Sequence, residues 1–278
     1  MGYLLLAIIC SATISITMRL SSGKVEGHFS MLAANYCVCG ILGAFYSDFS
    51  LLTAQTAGIP ITVGLGAANG AILLSGLVLL QVSTRKHGIV LSSLFMKLGL
   101  LVPFVVSILF FREIPTFLQG LGFVVAAGAI VLFNLKKDSG PSRFGLGLIL
   151  LLLASGGCDA IVKVFEALGP AELSNHFLFL SFSVAFLLCL GLVIWKKEHF
   201  DRKALLYGGM IGIANFFSSK FILAALTQIP AVVIFPTYSV ATMLVVTMSG
   251  VLFFKERLSK QQWIAFATVI AALIMLNL

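Results

Sequence analysis

The side chains able to do chemistry in this chain are charged and polar groups set inside apolar runs. Lys97 lies in SSLFMKLGLLVPFVVSILFF (92–111) and Lys220 in ANFFSSKFILAALTQIP (214–230), neither with an acidic neighbour in sequence. An ammonium at the centre of an apolar membrane helix costs about 2.5–3.5 kcal/mol on insertion scales, and from mid-span its stem is short for reaching the interface. Two such lysines predict a hydrated pocket in which each attracts a negative group. The plainer alternative is that backbone carbonyls or a distant carboxylate hold them as structure. Polar residues accompany both: Ser93 one turn before Lys97, and Asn215 and Ser219 beside Lys220, with Asn69 as the counterpart of Asn215. Tyr36, next to Asn35, and Tyr238, in FPTYSVAT, are phenols that need partners within a membrane. Lys97, Lys220, Asn69, Asn215, Tyr238, Ser93, Tyr36 and Ser11 form the expected substrate-binding set.

A second constellation is Asp159 with Lys163, spaced i, i+4 so that they can pair on one helix face. Asp159 is the carboxylate well inside a span, which suits a gating or proton-coupling role. The pair equally suits a structural ion pair tying its helix to a neighbour. Arg19 and Lys163 lie close to helix ends, within reach of the interface.

These residues need membrane helices to position them. Of 278 residues, 60% are hydrophobic and 10% charged, against about 25% charged in soluble domains, so the chain must meet lipid as well as itself. About 20 apolar residues cross the hydrocarbon. Ten runs qualify, near 2–20, 29–48, 57–82, 88–111, 115–135, 144–165, 173–195, 205–228, 231–254 and 262–278. Charge and turn chemistry mark the breaks, as in RKHG (85–88), KKDSGPSR (136–143), KKEHFDRK (196–203) and KERLSKQ (255–261). The first run lacks the basic flank of a signal peptide and reads as a retained helix.

The two halves resemble each other. FFRE at 110–113 is answered by FFKE at 253–256, Gln119 and Asn134 by Gln262 and Asn277, and GAAN at 66–69 by GIAN at 212–215. Ser11, Ser15 and Arg19 step by four residues, as do Ser155, Asp159 and Lys163. Residues 1–137 and 138–278 are therefore read as two five-helix repeats. Five spans is an odd number, so the second repeat enters the membrane the other way up. Such inverted repeats place substrate sites near mid-membrane.

With its five-plus-five layout, the FFxE step after the fourth and ninth runs (FFREIPTFLQGLG and FFKERLSKQQWIA) and the small-residue sixth run ASGGCDAIVK, the chain resembles the drug/metabolite transporter superfamily, in its ten-helix EamA type. The resemblance covers the whole length. It implies an all-α integral membrane fold of ten helices, as two inverted repeats around a central cavity, moving amino acids, drugs, sugars or other metabolites without hydrolysing ATP. It also implies that Glu113 and Glu256 cap or brace the helix that follows each.

Lys and Arg are unevenly shared among the connectors: fourteen fall in odd-numbered ones and one, Arg112, in an even-numbered one. The positive-inside rule makes the odd connectors cytoplasmic and puts both termini outside, whereas the resemblance implies cytoplasmic termini. The net charge of +8 reflects these connectors, and no nucleic-acid partner is implied. Cys10, Cys37, Cys39, Cys158 and Cys189 lie in apolar runs as small hydrophobes. No Walker A loop, HExxH or nucleophile elbow is present, and no catalytic residue, metal or cofactor is expected. The expectation is a multi-pass protein of the cell membrane, a monomer or homodimer. The expected function is that of a secondary transporter moving a small anionic or zwitterionic metabolite by alternating access. The alternatives are an exporter of amino acids or drugs, a lipid-phosphate flippase, and a non-transporting scaffold or enzyme on lipid-linked substrates.

Overall fold

The computed structural model describes residues 1–50, 58–134, 145–255 and 258–278. Each predicted apolar run is helical, and there is no strand among the described residues. The helices are α1 (Gly2–Ser21), α2 (His28–Tyr46), α3 (Ile59–His87), α4a (Ile89–Lys97) and α4b (Leu101–Phe111) joined by a 3-10 turn at Leu98–Leu100, and α5 (Phe117–Asn134). The second half supplies α6 (Leu146–Leu168), α7 (Ser174–Lys196), α8 (Arg202–Leu226), α9 (Ala231–Phe254) and α10 (Lys260–Asn277). Among the described residues, eight helical stretches are long and apolar enough to cross a membrane, and the apolar part of α5, Phe117–Phe133, is shorter. Large apolar side chains stand exposed along them, with Phe45 at 81%, Phe117 at 88% and Trp195 at 77%. A water-soluble surface does not carry such a load. This is a multi-pass membrane protein.

Helix boundaries follow local chemistry. α3 runs past the predicted end at 82 because Arg85, Lys86 and His87 suit a helix C-terminus, and it stops at Gly88, whose φ is +82°. Within the fourth run, Pro103 has no N–H to offer Gly99, and the chain tightens into the 3-10 turn just before it. α5 and α10 begin with matching boxes: Thr116 and Gln119 exchange backbone and side-chain hydrogen bonds, as do Ser259 and Gln262. α4b, α7 and α9 each end in a basic residue in the left-handed conformation, Arg112, Lys197 and Lys255, with φ of 54°, 54° and 53°. A glutamate follows each.

The chain divides into two compact units, one of Met1–Leu74 with Val164–Thr227, the other of Ser75–Lys163 with Gln228–Leu278. The boundaries fall within α3 and α6. In the first unit α2 packs extensively on α7 and α8, and α1 on α8. Two approaches there are made by glycines. A Cβ on Gly66 would sit 2.8 Å from Leu180 Cβ, and one on Gly70 would strike the Ser181 carbonyl. A Cβ on Gly208 would strike the Met31 carbonyl, and one on Gly212 would sit 2.6 Å from the Asn35 carbonyl. In the second unit α5 packs along α10. Its core gathers Leu94, Leu100, Phe104, Phe123, Val233 and Val240, with the Phe104 and Phe123 rings stacked at 3.6 Å.

Candidate functional site

In the second unit the fourth run crosses α6 at two glycines. The Gly99 carbonyl abuts Gly156, and the Ser155 hydroxyl donates to the Met96 carbonyl at 2.8 Å. This crossing lies beside the helix break, so Lys97, the last residue of α4a, stands where the backbone changes from α to 3-10 geometry. Lys97 is half-buried and makes no hydrogen bond or ion pair with another described residue. One turn beyond Ser155 on the other helix, Asp159 is likewise half-buried and without such a partner. The two are not an ion pair. Ser93 is half-buried one turn before Lys97, and Tyr238 is half-buried on α9.

Lys163 has a different setting from its i, i+4 spacing to Asp159. Its ammonium lies 2.8 Å from Glu113 Oε1, with the two side chains 9% and 16% exposed, and 5.3 Å from the Phe111 ring centroid. The other Glu113 oxygen accepts from the Val232 N–H at 3.1 Å, in the first turn of α9. A helix N-terminus leaves such donors unpaired and carries partial positive charge, which a carboxylate satisfies. Glu113 therefore braces α9 and not the helix that follows it, because Thr116 and Gln119 already cap α5. Glu256 lies outside the described residues.

The first unit holds the remaining expected residues. Asn215 Nδ2 donates to Asn35 Oδ1 at 3.2 Å, and Asn69 Nδ2 donates to Ser181 Oγ at 3.1 Å. Both asparagines thus bridge helices, α8 to α2 and α3 to α7, beside the glycine approaches. The Asn69 Oδ1 is buried with no hydrogen-bond partner. Tyr36, 3% exposed, stacks on Phe182 at 6.3 Å. Ser11 is half-buried on α1, its carbonyl accepting from Ser15 at 3.2 Å. Lys220 is half-buried, with its ammonium 3.5 Å from the Tyr46 ring centroid. Tyr46 ends α2 and Lys220 lies six residues before the end of α8, about 9 Å along the axis. That is midway between the middle of the helix and its end, and a cation over a ring face is stabilised by about 0.5–2 kcal/mol.

Sequence reading did not single out Glu198. Its Oε2 accepts from the N–H groups of Phe29 at 2.9 Å and Ser30 at 3.1 Å, at the start of α2. The signal was present: a basic residue followed by glutamate where a helix ends, as at Arg112–Glu113.

Comparisons with known proteins agree with this architecture. An uncharacterized protein of Haemophilus influenzae is 25% identical, with 98% of this chain matched to 96% of its own. A protein of solved crystal structure matches with a TM-score of 0.67 at 17% identity, over 98% of this chain and 94% of the other, which is a likeness of fold. Residues 145–278, from the start of α6 to the last residue of the chain, match the EamA-like transporter family. That match makes the second half of the chain similar to a family of membrane transporters.

Proposed function

We propose that the protein is a secondary transporter that moves a small anionic or zwitterionic organic metabolite by alternating access. Lys97 receives the acidic group of the cargo. The observation that carries this reading is that the Lys97 ammonium, at a helix break inside an apolar span, has no hydrogen-bond or ion-pair partner among the described residues. A charge without a protein partner there is tolerated where water or a ligand reaches it. Asp159, across the glycine crossing, is the carboxylate free to take up a proton or the positive end of a zwitterion.

The inverted-repeat reading, 1–137 against 138–278, draws support from paired contacts. Asn69 bonds Ser181 as Asn215 bonds Asn35, the two donors being counterparts in GAAN and GIAN. Each pair relates one half of the chain to the other. Asn69, Asn215, Tyr36 and Ser181 serve as helix-packing groups of the first unit in this reading, leaving Ser93 and Tyr238 of the second unit as polar groups for the cargo.

The test starts with a thermal-shift screen of organic acids, amino acids and phosphate esters, since a specific ligand raises stability by mass action. Uptake of a radiolabelled hit into proteoliposomes is then measured for wild type, Lys97→Ala and Lys97→Arg. Loss of uptake in Lys97→Ala, with partial recovery in Lys97→Arg, is expected. Equal uptake by all three would refute the assigned role.

A further inference from the structure

Within the first unit, the turn between α1 and α2 encloses a cavity of about 230 Å³. That is room for about seven waters at liquid density, enough for a small polar group and part of what carries it. Its apolar lining is Met18, Val25 and Met31, which pack together with Tyr207 of α8. Its polar lining includes Ser22 and His28. Neither the Ser22 hydroxyl nor the His28 ring makes a hydrogen bond with another described residue, so both are open to a ligand.

Two ammonium groups flank this lining, each anchored on an aromatic ring. Lys24, between the lining residues Gly23 and Val25, holds its ammonium 3.3 Å from the Tyr207 hydroxyl and 5.8 Å from the ring centroid. Lys196, the last residue of α7, holds its ammonium 4.2 Å from the Phe29 ring centroid, and the His28 ring meets that same ring edge-on at 6.2 Å. Neither ammonium forms an ion pair with a described residue. The nearby acids are otherwise engaged. Glu198 accepts from the Phe29 and Ser30 N–H groups and Asp201 from that of Ala204. Residues 19–28 and 196–203 hold six Lys and Arg against three acids, and only Glu26 among those acids is not bound to a helix start.

We infer that this cavity is a binding site for a phosphoryl group, with Ser22, His28, Lys24 and Lys196 as donors and the two methionines and Val25 against the apolar body that carries it. α1 ends and α2 begins at this turn, and both are long and apolar enough to span, so the site lies at the depth of lipid headgroups. Basic pockets between membrane helices at that depth take phosphate-bearing headgroups. Lysine binds phosphate as a point charge, whereas a planar carboxylate favours the arginine fork. The phosphoryl group comes either from an anionic phospholipid or from a soluble phosphate ester. The site goes beyond the transport reading and stands or falls without Lys97.

The experiment measures phosphatidic acid binding by native mass spectrometry on the full chain in an uncharged detergent. Wild type is compared with Lys24→Gln, with the double variant Ser22→Ala, His28→Ala, and with Lys86→Gln, which removes the same charge from the other unit. These side chains are exposed, so melting temperatures without lipid are expected to match wild type. Binding is expected to weaken at least fivefold in Lys24→Gln and in the double variant, and to stay at the wild-type level in Lys86→Gln. Equal binding by all the variants, or equal weakening in Lys86→Gln, would overturn the proposal. Oleate bound as tightly as phosphatidic acid would overturn it too, because the site would then take any anion on an apolar body. Inorganic phosphate and glycerol 3-phosphate serve as competitors. Displacement of the lipid by either assigns the site to soluble phosphate esters, and no displacement assigns it to the lipid headgroup; both results support a phosphoryl site.

Discussion

Glu113, just past the end of an apolar span, and Lys97, inside that span, show two ways for a membrane protein to hold a charged side chain. Glu113 is satisfied twice, by the Lys163 ammonium and by the Val232 N–H. Removing one member of a largely buried pair leaves the other uncompensated, at a cost of about 3 kcal/mol or more. Glu113→Ala is expected to destabilise more than Lys163→Met, because it also exposes an unpaired donor at the start of α9. Denaturant unfolding in detergent, with the double variant completing the cycle, measures the coupling. Lys97 gains nothing comparable from the described residues, so Lys97→Met is expected to leave stability unchanged or slightly raised while removing transport. A loss of stability in Lys97→Met would reveal a structural partner and argue against a binding role.

At the scale of elements, close glycine approaches decide which helices can pack. Gly70 and Gly212 have backbone carbonyls where a Cβ would stand, whereas Gly64 and Gly209, on the same two helices, have nothing within 4 Å. Gly70→Ala and Gly212→Ala are expected to cost roughly 1–3 kcal/mol by forcing helices apart. Gly64→Ala and Gly209→Ala are expected to be neutral or to stabilise by up to about 1 kcal/mol through helix propensity. Thermal melts of the four variants separate the two groups. The helices themselves were legible in sequence, since apolar runs bounded by charge leave little choice of structure, and α9 was read at its observed limits. The helix break at 98–100 was legible only as Pro103, because its exact place depends on the contact with Gly156. Lys163 was read toward Asp159 by its spacing, but a carboxylate fifty residues away took it. Glu198 went unread because its partners, Phe29 and Ser30, lie on a helix that no local pattern connects to it. Spacing rules report what a helix brings together, and these contacts come from packing.

For the whole molecule, connectors of like parity meet within each unit. Glu198 of the seventh reaches residues just past the first, and Glu113 of the fourth reaches a residue just past the eighth. Reporter fusions at connectors three and seven are expected to read cytoplasmic, and fusions at both termini to read external. Cytoplasmic termini would reverse the orientation while leaving the fold unchanged. The account as a whole depends on whether Lys97 meets a cargo. Its most direct test is proteoliposome uptake of a ligand identified by thermal shift, comparing wild type with Lys97→Ala at equal reconstituted amounts. A fall of tenfold or more, with the melting temperature preserved, is the predicted result. Uptake at the wild-type rate would contradict it.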